Sequence, residues 1–551
     1  YAENSHLVSG DNVARSAENV SHIDATVVGV SAAGAGGKGS AGVGVAIGVS
    51  LAKNLIGWTL GGTREPTEVL AYSQNSSIQA GGDLLFTSVA DGSIDAGLGA
   101  GALGVGASRK AGVALTVAGV GADNRIATLV KSYIDDDGTT GIRAKSVSLS
   151  ARDDSDIHVI AAAASLGVAF GNKAGVAVAV SVTVALNDIS NEVEAYVHDV
   201  ASFMTTEGDV RLRAETNAEI DAFAAAASVA IGVGGKAGVA VSGAGAAAKN
   251  VILSKTNAFV DQSTLISAGG VDIDALATSQ IDATILSGSG SIGASQTAGV
   301  GASVGAAVAR NFIGWKPGGD TFDHTTDDSL ATIPKGKKIK VLGGVYDGDV
   351  YEFIGDSQVV YEHTNDERLV MLKENTRVKV GEAIYRFAGK AGTKDLSKEV
   401  YETNSTNSTD WVLIGESDLS GQDFGKRDLW KLVLPDTIDD AATIQAYVQN
   451  SKITAAGDVT LDAEAKETVE AVTIAGSVAL AGSGKVGVAL SGAGVGTENR
   501  IRNLVQAYVD SGSSTVSANN LRITAHDDAR IKSDAGAASV AGSAAGKVGV
   551  S

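Results

Sequence analysis

An Asn-x-Ile element recurs at Asn54, Asn124, Asn187, Asn250, Asn311 and Asn499, and an Ala-Tyr-Val-like element follows it at Tyr72, Tyr133, Tyr196, Phe259, Tyr447 and Tyr508. Consecutive aromatic landmarks lie 61, 63, 63, 188 and 61 residues apart. One unit is therefore about 62 residues long, and one interval has taken up roughly 125 extra residues. Repeats of this kind contact mainly their neighbours, so the units must stack and extend one continuous core. A longer period overlies the short one. Asn54-Leu-Ile-Gly-Trp58 with Gly61-Gly62 reappears as Asn311-Phe-Ile-Gly-Trp315 with Gly318-Gly319. Four units make a super-repeat, and the Gly-Trp-x-x-Gly-Gly element marks its insertion point, which holds a short linker, Thr63 to Pro66, in one copy and a whole module in the other.

Composition narrows the chemistry. Gly is 70 of 551 residues, Pro only 4, and 44% of the chain is apolar, which excludes collagen, Pro-rich linkers and a disordered tract. With no Cys there is no disulfide framework, thiolate metal site or thiol nucleophile. A formal charge of -20 argues against nucleic acid and anionic membrane as partners, because both require a basic surface. No apolar stretch is long and uninterrupted enough for a membrane helix. The last residues, Gly546-Lys-Val-Gly-Val-Ser551, match the middle of a unit at Gly484-Lys-Val-Gly-Val, so the array is expected to continue beyond this chain.

Each unit has two halves. Gly457-Asp-Val459-Thr-Leu461-Asp-Ala463-Glu-Ala465 alternates apolar and polar residues, as does Gly208-Asp-Val210-Arg-Leu212-Arg-Ala214, which predicts strands with one wet face. The other half, for example Lys173-Ala-Gly-Val-Ala-Val-Ala-Val-Ser-Val-Thr-Val-Ala185, alternates β-branched with small residues, so that another sheet can approach closely. Lys110, Lys173, Lys236, Lys485 and Lys547 are expected in exposed turns between such strands. The segment from Asn-x-Ile to Ala-Tyr-Val fits both a helical stripe and a strand; its β-branched and aromatic residues favour strand, and in a helix the Asn would be the N-cap. At usual strand lengths each unit supplies two or three rungs, so six units would span about 60 to 90 Å. The recurring Asn has two readings: a hydrogen-bonded ladder or a turn or cap residue.

Between about Lys316 and Pro435 the Ala/Gly richness gives way to aromatics and charges. Val350-Tyr-Glu-Phe-Ile-Gly355 is echoed by Ile384-Tyr-Arg-Phe-Ala-Gly389, and Trp411-Val-Leu-Ile414 by Trp430-Lys-Leu-Val433, which predicts two tandem half-modules in a small antiparallel β domain. Tyr351, Tyr385, Trp411 and Trp430 are the candidate ligand-binding residues, since such rings stack on sugars, although they also serve as core of a small domain.

Acidic clusters are the candidate metal sites: Asp135 and Asp137, Asp153 and Asp154, and Asp527 and Asp528, the last two pairs at corresponding places in their units. Hard oxygens at a turn suit calcium, whereas a solvated acidic turn is the plainer reading, because neither an EF-hand loop nor a calcium-binding nonapeptide is present. The seven His pair with no Ser-Asp constellation at a readable spacing, so no catalytic residues are expected and the chain is not expected to be an enzyme. A polysaccharide-acting β-helix enzyme, the third functional class, would need a distinctive pair of carboxylates in a groove.

The unit Asn-x-Ile, Ala-Tyr-Val-Asp, Ser-x-Ile-x-Ala-Gly-Gly-Asp-Val-x-Leu-x-Ala resembles the repeats of giant bacterial surface adhesins of the filamentous-haemagglutinin and leukotoxin-like filamentous type. The insert, with Tyr-x-Phe-x-Gly followed by Asp395-Leu396, Tyr401 and Trp411, resembles a small module embedded in such proteins and, faintly, chitin-binding-type modules. The resemblance implies export to the cell surface, a β-solenoid shaft, and adhesion or self-assembly. The expected architecture is thus all-β: an elongated, parallel β-helix-like solenoid over 1–315 and 437–551, with a small antiparallel module over 316–436. Expected partners are further repeats or copies of the chain and cell-surface glycans; the alternative function is a self-assembling extracellular polymer decorated by the insert.

Overall fold

The computed structural model describes residues 1–39, 41–315, 442–510 and 514–551 of the array, and residues 322–326, 328, 332–342, 350–355, 358–359, 361–381, 383–399, 401, 410–416, 419, 424 and 429–433 of the insert. The chain divides into two compact units, Tyr1–Trp315 with Ala441–Ser551, and Lys316–Asp440. The expected boundary at 436 lies outside the described residues.

In the array the units contribute to three parallel sheets, each through one long strand or two collinear shorter ones in the first two sheets and one short strand in the third. Val147–Gly171 lies in the first sheet, Ala174–His198 in the second and Phe203–Thr205 in the third. Each pairs in register with its equivalent in the next unit, Val147 with Val210, Ala174 with Ala237 and Phe203 with Leu265. One repeat therefore makes one layer, not the two or three expected. The difference lies in strand length: alternation runs unbroken for 25 residues in both long strands, against a usual length of about 5–6. Where nothing is inserted, the segment from Asn-x-Ile to the aromatic landmark is strand and not helix, as in Ala174–His198.

The two long strands are joined by two-residue turns such as Asn172-Lys173, and the turn lysines are exposed as expected. Beside these turns the two sheets nearly touch. A Cβ on Gly232 would lie 2.0 Å from the Val239 carbonyl oxygen, and one on Gly293 1.9 Å from that of Val300. Toward the third sheet the space between them widens and is filled by Phe86, Leu149, Ile126, Ile134 and Phe203, all fully buried. Among the described residues, passage from the second to the third sheet uses a left-handed residue at the same place in successive layers, including Asn75, Asp136, Asp199, Gln262 and Asn450, mostly the residue types that tolerate it best.

The insertion point is a break in one long strand. Ala41–Ile56 and Thr67–Gln74 both pair with Ala111–Asp135, and Ala298–Ile313 and Ala442–Gln449 both pair with Ala237–Asp261. In each case the chain leaves at a glycine of positive φ, Gly57 at +69° and Gly314 at +64°, where a Cβ would meet a backbone oxygen of the next layer at 2.1 and 2.0 Å. The following tryptophans are covered by arginines of that layer, Trp58 by Arg125 at 5.4 Å and Trp315 by Arg502 at 5.1 Å.

The insert is mostly antiparallel and consists of two similar four-stranded sheets, each with its own core. They are nested, not tandem. Val350–Phe353 pairs with Trp430–Val433, while Ala383–Phe387 pairs with Trp411–Glu416, so the second half lies in sequence between the strands of the first.

Candidate functional site

The recurring Asn side chains form a ladder through the interior. Asn54 donates to Asn124 at 2.8 Å, Asn124 to Asn187 at 2.9 Å, Asn187 to Asn250 at 2.7 Å, Asn250 to Asn311 at 2.7 Å and Asn311 to Asn499 at 2.7 Å. The in-register stack places an identical amide above and below each Asn, so one donates its Nδ2–H to the Oδ1 of the next. The last link spans the insert, 188 residues in sequence.

A second ladder runs on the outer face of the second sheet. Tyr1, Tyr72, Tyr133, Tyr196, Phe259, Tyr447 and Tyr508 stack with ring centroids 4.7–5.2 Å apart and planes within 7° of parallel. The sequence located these rings but not their stacking, which becomes visible only once one unit is known to make one layer. Tyr1 at the end of the ladder is exposed; each of the other rings is half-buried, covers the faces of its neighbours and leaves its edge to solvent.

The acidic candidates separate. Asp153 is fully buried, with its carboxylate held by Thr128, Ser155 and Asn191, whereas Asp154 points outward to Arg152 at 2.7 Å and Asn217 at 2.7 Å. Adjacent residues of a strand face opposite ways, so this pair cannot share an ion. Asp135 accepts from Gln74 at 3.1 Å and lies 2.7 Å from His198 Nδ1; Asp137 caps the Ser202 N–H at 2.6 Å. Asp527 occupies the column of Asp153 and accepts from Asn503 at 3.1 Å, while the Asp528 N–H bonds the Ala465 carbonyl at 2.9 Å. Among the described residues no three acidic or His side chains converge in a group able to hold a metal ion. The carboxylates are distributed among hydroxyl, amide and cationic partners, and calcium finds no assembled oxygen cage in them.

Glu467, which the sequence reading passed over, is fully buried in phase with Val469 and Ala471. Neither of its oxygens has a hydrogen-bond partner among the described residues, because the neighbouring Asn503 gives its N–H to Asp527. Burial pushes the Glu467 carboxyl up to about 8 and the Asp153 carboxyl up to about 6. For both, the folded state favours the protonated acid. The stability they contribute is complete below pH 4 and is lost as pH rises through about 6 for Asp153 and about 8 for Glu467. Urea midpoints of the chain should therefore fall between pH 4 and pH 9. Asp153→Asn should remove the share of Asp153 in the loss between pH 4 and 6, on the order of 3 kcal/mol from a shift of about two units, and leave the shares of Glu467 and Asp274; an unaltered slope in that window would refute the assignment.

Three of the four aromatic candidates are core. Tyr351, Trp411 and Trp430 are buried, and Tyr385 is half-buried against Tyr401 at 5.3 Å. Two matching four-ring chains result: Tyr351, Phe424, Trp430 and Phe353 in succession at 4.7–5.1 Å, and Tyr385, Tyr401, Trp411 and Phe387 in succession at 4.8–5.3 Å. Trp411 also donates to Glu399 at 3.1 Å. These faces cover one another instead of forming a sugar platform. Trp411→Ala should accordingly cost about 3–5 kcal/mol and unfold its half of the insert, read by near-ultraviolet dichroism, while leaving the array intact. Native-like dichroism would show that the ring is not core.

No protein-family model, curated protein or solved structure matches the chain.

Proposed function

We propose that the chain is a structural and adhesive segment of a secreted bacterial cell-surface or extracellular filament, with the array as a β-solenoid shaft of one coil per repeat and the insert as a ligand-binding decoration. The observation that carries this reading is the uninterrupted in-register stack. Its Asn and aromatic ladders pass from Phe259 to Tyr447 and from Asn311 to Asn499 as though the insert were absent. A stack that accepts a domain without losing register suits a shaft that displays modules along its length. Glycan recognition by the insert rests in this reading on its resemblance to embedded carbohydrate modules, not on Tyr351, Trp411 or Trp430, whose faces are covered. The reading assigns no catalytic role and no cofactor.

Two measurements test it. Antibodies raised against the chain should label intact cells of the organism that makes it; labelling only after permeabilisation would remove the cell-surface assignment. The whole chain on a glycan array should show saturable binding that a variant with residues 316–440 replaced by the Thr63 to Pro66 linker lacks. Equal binding by both would move adhesion to the shaft.

A further inference from the structure

The outer face of the first sheet is zoned across its width. Starting at the turns, the first zone is a row of exposed cations, Lys38, Lys110, Lys173, Lys236, Lys485 and Lys547, one per layer in all but one layer. Their backbones are joined between layers, Lys173 N–H to the Lys110 carbonyl at 2.9 Å and Lys236 N–H to that of Lys173 at 2.8 Å. The lysines thus stand about 4.8 Å apart and repel one another. Next comes a band that is uncharged through six layers and carries one charge, Asp534, at its edge in the seventh. In the third layer its outward residues are Ile160, Ala162, Ala164, Leu166, Val168 and Phe170, and in the fourth Phe223, Ala225, Ala227, Val229, Ile231 and Val233. Beyond the band lies a row dominated by acids, Asp24, Asp95, His158, Asp221, Asp282 and Glu470 in the first six layers, with Lys532 in the seventh.

The band is roughly ten residues wide and seven layers tall, about 1,000 Å² at ordinary strand spacings. That exceeds the roughly 300–600 Å² of the largest apolar patch on a typical monomer and matches the ~800 Å² each partner buries in a standard interface. Its relief is asymmetric. The half beside the acids has a floor of small residues, a groove lined by Ala162, Ala164, Ala225, Ala227, Leu286 and Gly288. The half beside the lysines has exposed Leu166, Phe170 and Val229 at 38, 47 and 40%.

We infer that this face pairs with the same face of a second copy, about a two-fold axis parallel to the stacking direction and passing through the middle of the band. Such an axis reverses the strands and keeps the layers in order. Position 164 then faces 166, 162 faces 168 and 160 faces 170, so Leu166 and Val168 of each copy enter the alanine groove of the other, and Ile160 meets Phe170 at its rim. The same operation lays each lysine row over the other copy's acid row. The occupant is a second copy because one operation satisfies shape, charge and spacing together. The acid row retains capacity for it: Asp221 is met by His158 at 3.1 Å and Asp95 by His22 at 3.9 Å, with only Glu470 already paired to a lysine, Lys532 at 3.3 Å. The outer face of the second sheet is also apolar near the turns, but its charges are largely matched within the chain, as in Lys131 with Glu192 and Glu194 and Arg310 with Glu498. The inference extends the shaft reading to side-by-side bundling, yet it is tested in solution and stands or falls independently of cell-surface display.

The test is sedimentation velocity of the full chain at low salt. Dimers are expected in the micromolar range, with Kd raised at least about 100-fold by Leu166→Glu with Val229→Glu and unchanged by the control Val182→Glu with Val304→Glu on the second sheet. Both sets alter exposed positions, so each fold can be verified by dichroism. Lys110→Glu with Lys236→Glu, and separately Asp95→Lys with Asp221→Lys, which face them in the same layers, should each weaken pairing about tenfold or more, and a mixture of the two variants should restore it as a heterodimer. A monomer at about 100 µM, or a dimer lost equally with the second-sheet control, overturns the inference. Monomers that float with phosphatidylcholine vesicles through Leu166 and Val229 overturn it in favour of a lipid partner.

Discussion

Asn187→Ala is expected to lower the unfolding free energy of the array by about 3–5 kcal/mol, a large effect for one exchange between small side chains. The wild-type amide donates to Asn250 at 2.7 Å and accepts from Asn124 at 2.9 Å, and all three residues are buried. Truncation removes two hydrogen bonds of about 1 kcal/mol each and leaves the Asn124 amide and the Asn250 carbonyl oxygen without partners in a low-dielectric interior, adding about 1–3 kcal/mol. Asn187→Asp should cost more at neutral pH than at pH 4, because the introduced carboxylate is unpaired and buried when ionised. The readout is the urea midpoint with m unchanged. A loss below about 0.5 kcal/mol for Asn187→Ala would mean that water replaces the amide and that the ladder contributes nothing specific.

The second large effect concerns backbone approach at the turn edge. Gly175→Ala introduces a Cβ that lies 2.1 Å from the Val233 carbonyl oxygen and 2.6 Å from its carbon. No side chain can rotate away, since the obstruction is main chain of the facing sheet. The two sheets must separate locally, and strain of about 3 kcal/mol or more follows, at the upper end for overpacking. Gly243→Ala supplies the control. It lies in the same sheet with nothing within 4 Å of the added methyl, so it should be neutral or stabilise by up to about 1 kcal/mol, through the lower chain entropy of alanine. Equal midpoints for the two variants would contradict close packing of the two sheets.

What the sequence made legible followed from its periodicities. Repeat length gave the stack, the Gly57-Trp58 and Gly314-Trp315 echo gave the insertion point, and the apolar-polar alternation from Val459 to Ala465 gave strands and their inward faces. The layer count stayed hidden because no local signal separates one strand of 25 residues from several shorter ones when Gly and Ala recur inside it. Phase also carried more than was taken from it. Asp153 and Asp154 had to diverge by the two-residue period alone, and Glu467 lies in phase with the buried Val469 and Ala471. The insert was harder. Tyr351 and Trp411 read equally well as core or platform, because their strands are only four and six residues long and belong to halves whose nesting depends on pairings far apart in sequence.

The most direct measurement of the one-repeat, one-layer architecture is a cysteine cross-link, for which the native chain supplies no competing thiol. Ser150 and Arg213 are paired neighbours on the outer face of the first sheet, 63 residues apart. Ser150→Cys with Arg213→Cys should close an intrachain disulfide under mild oxidation, since in-register parallel neighbours fall within the usual Cα range of about 4.4–6.8 Å. Ser150→Cys with Val182→Cys, separated by half a repeat, places the thiols on two different sheets and should remain reduced. Rapid closure of the second pair and none of the first would mean two layers per repeat, and would contradict both the ladders and the pairing surface derived from them.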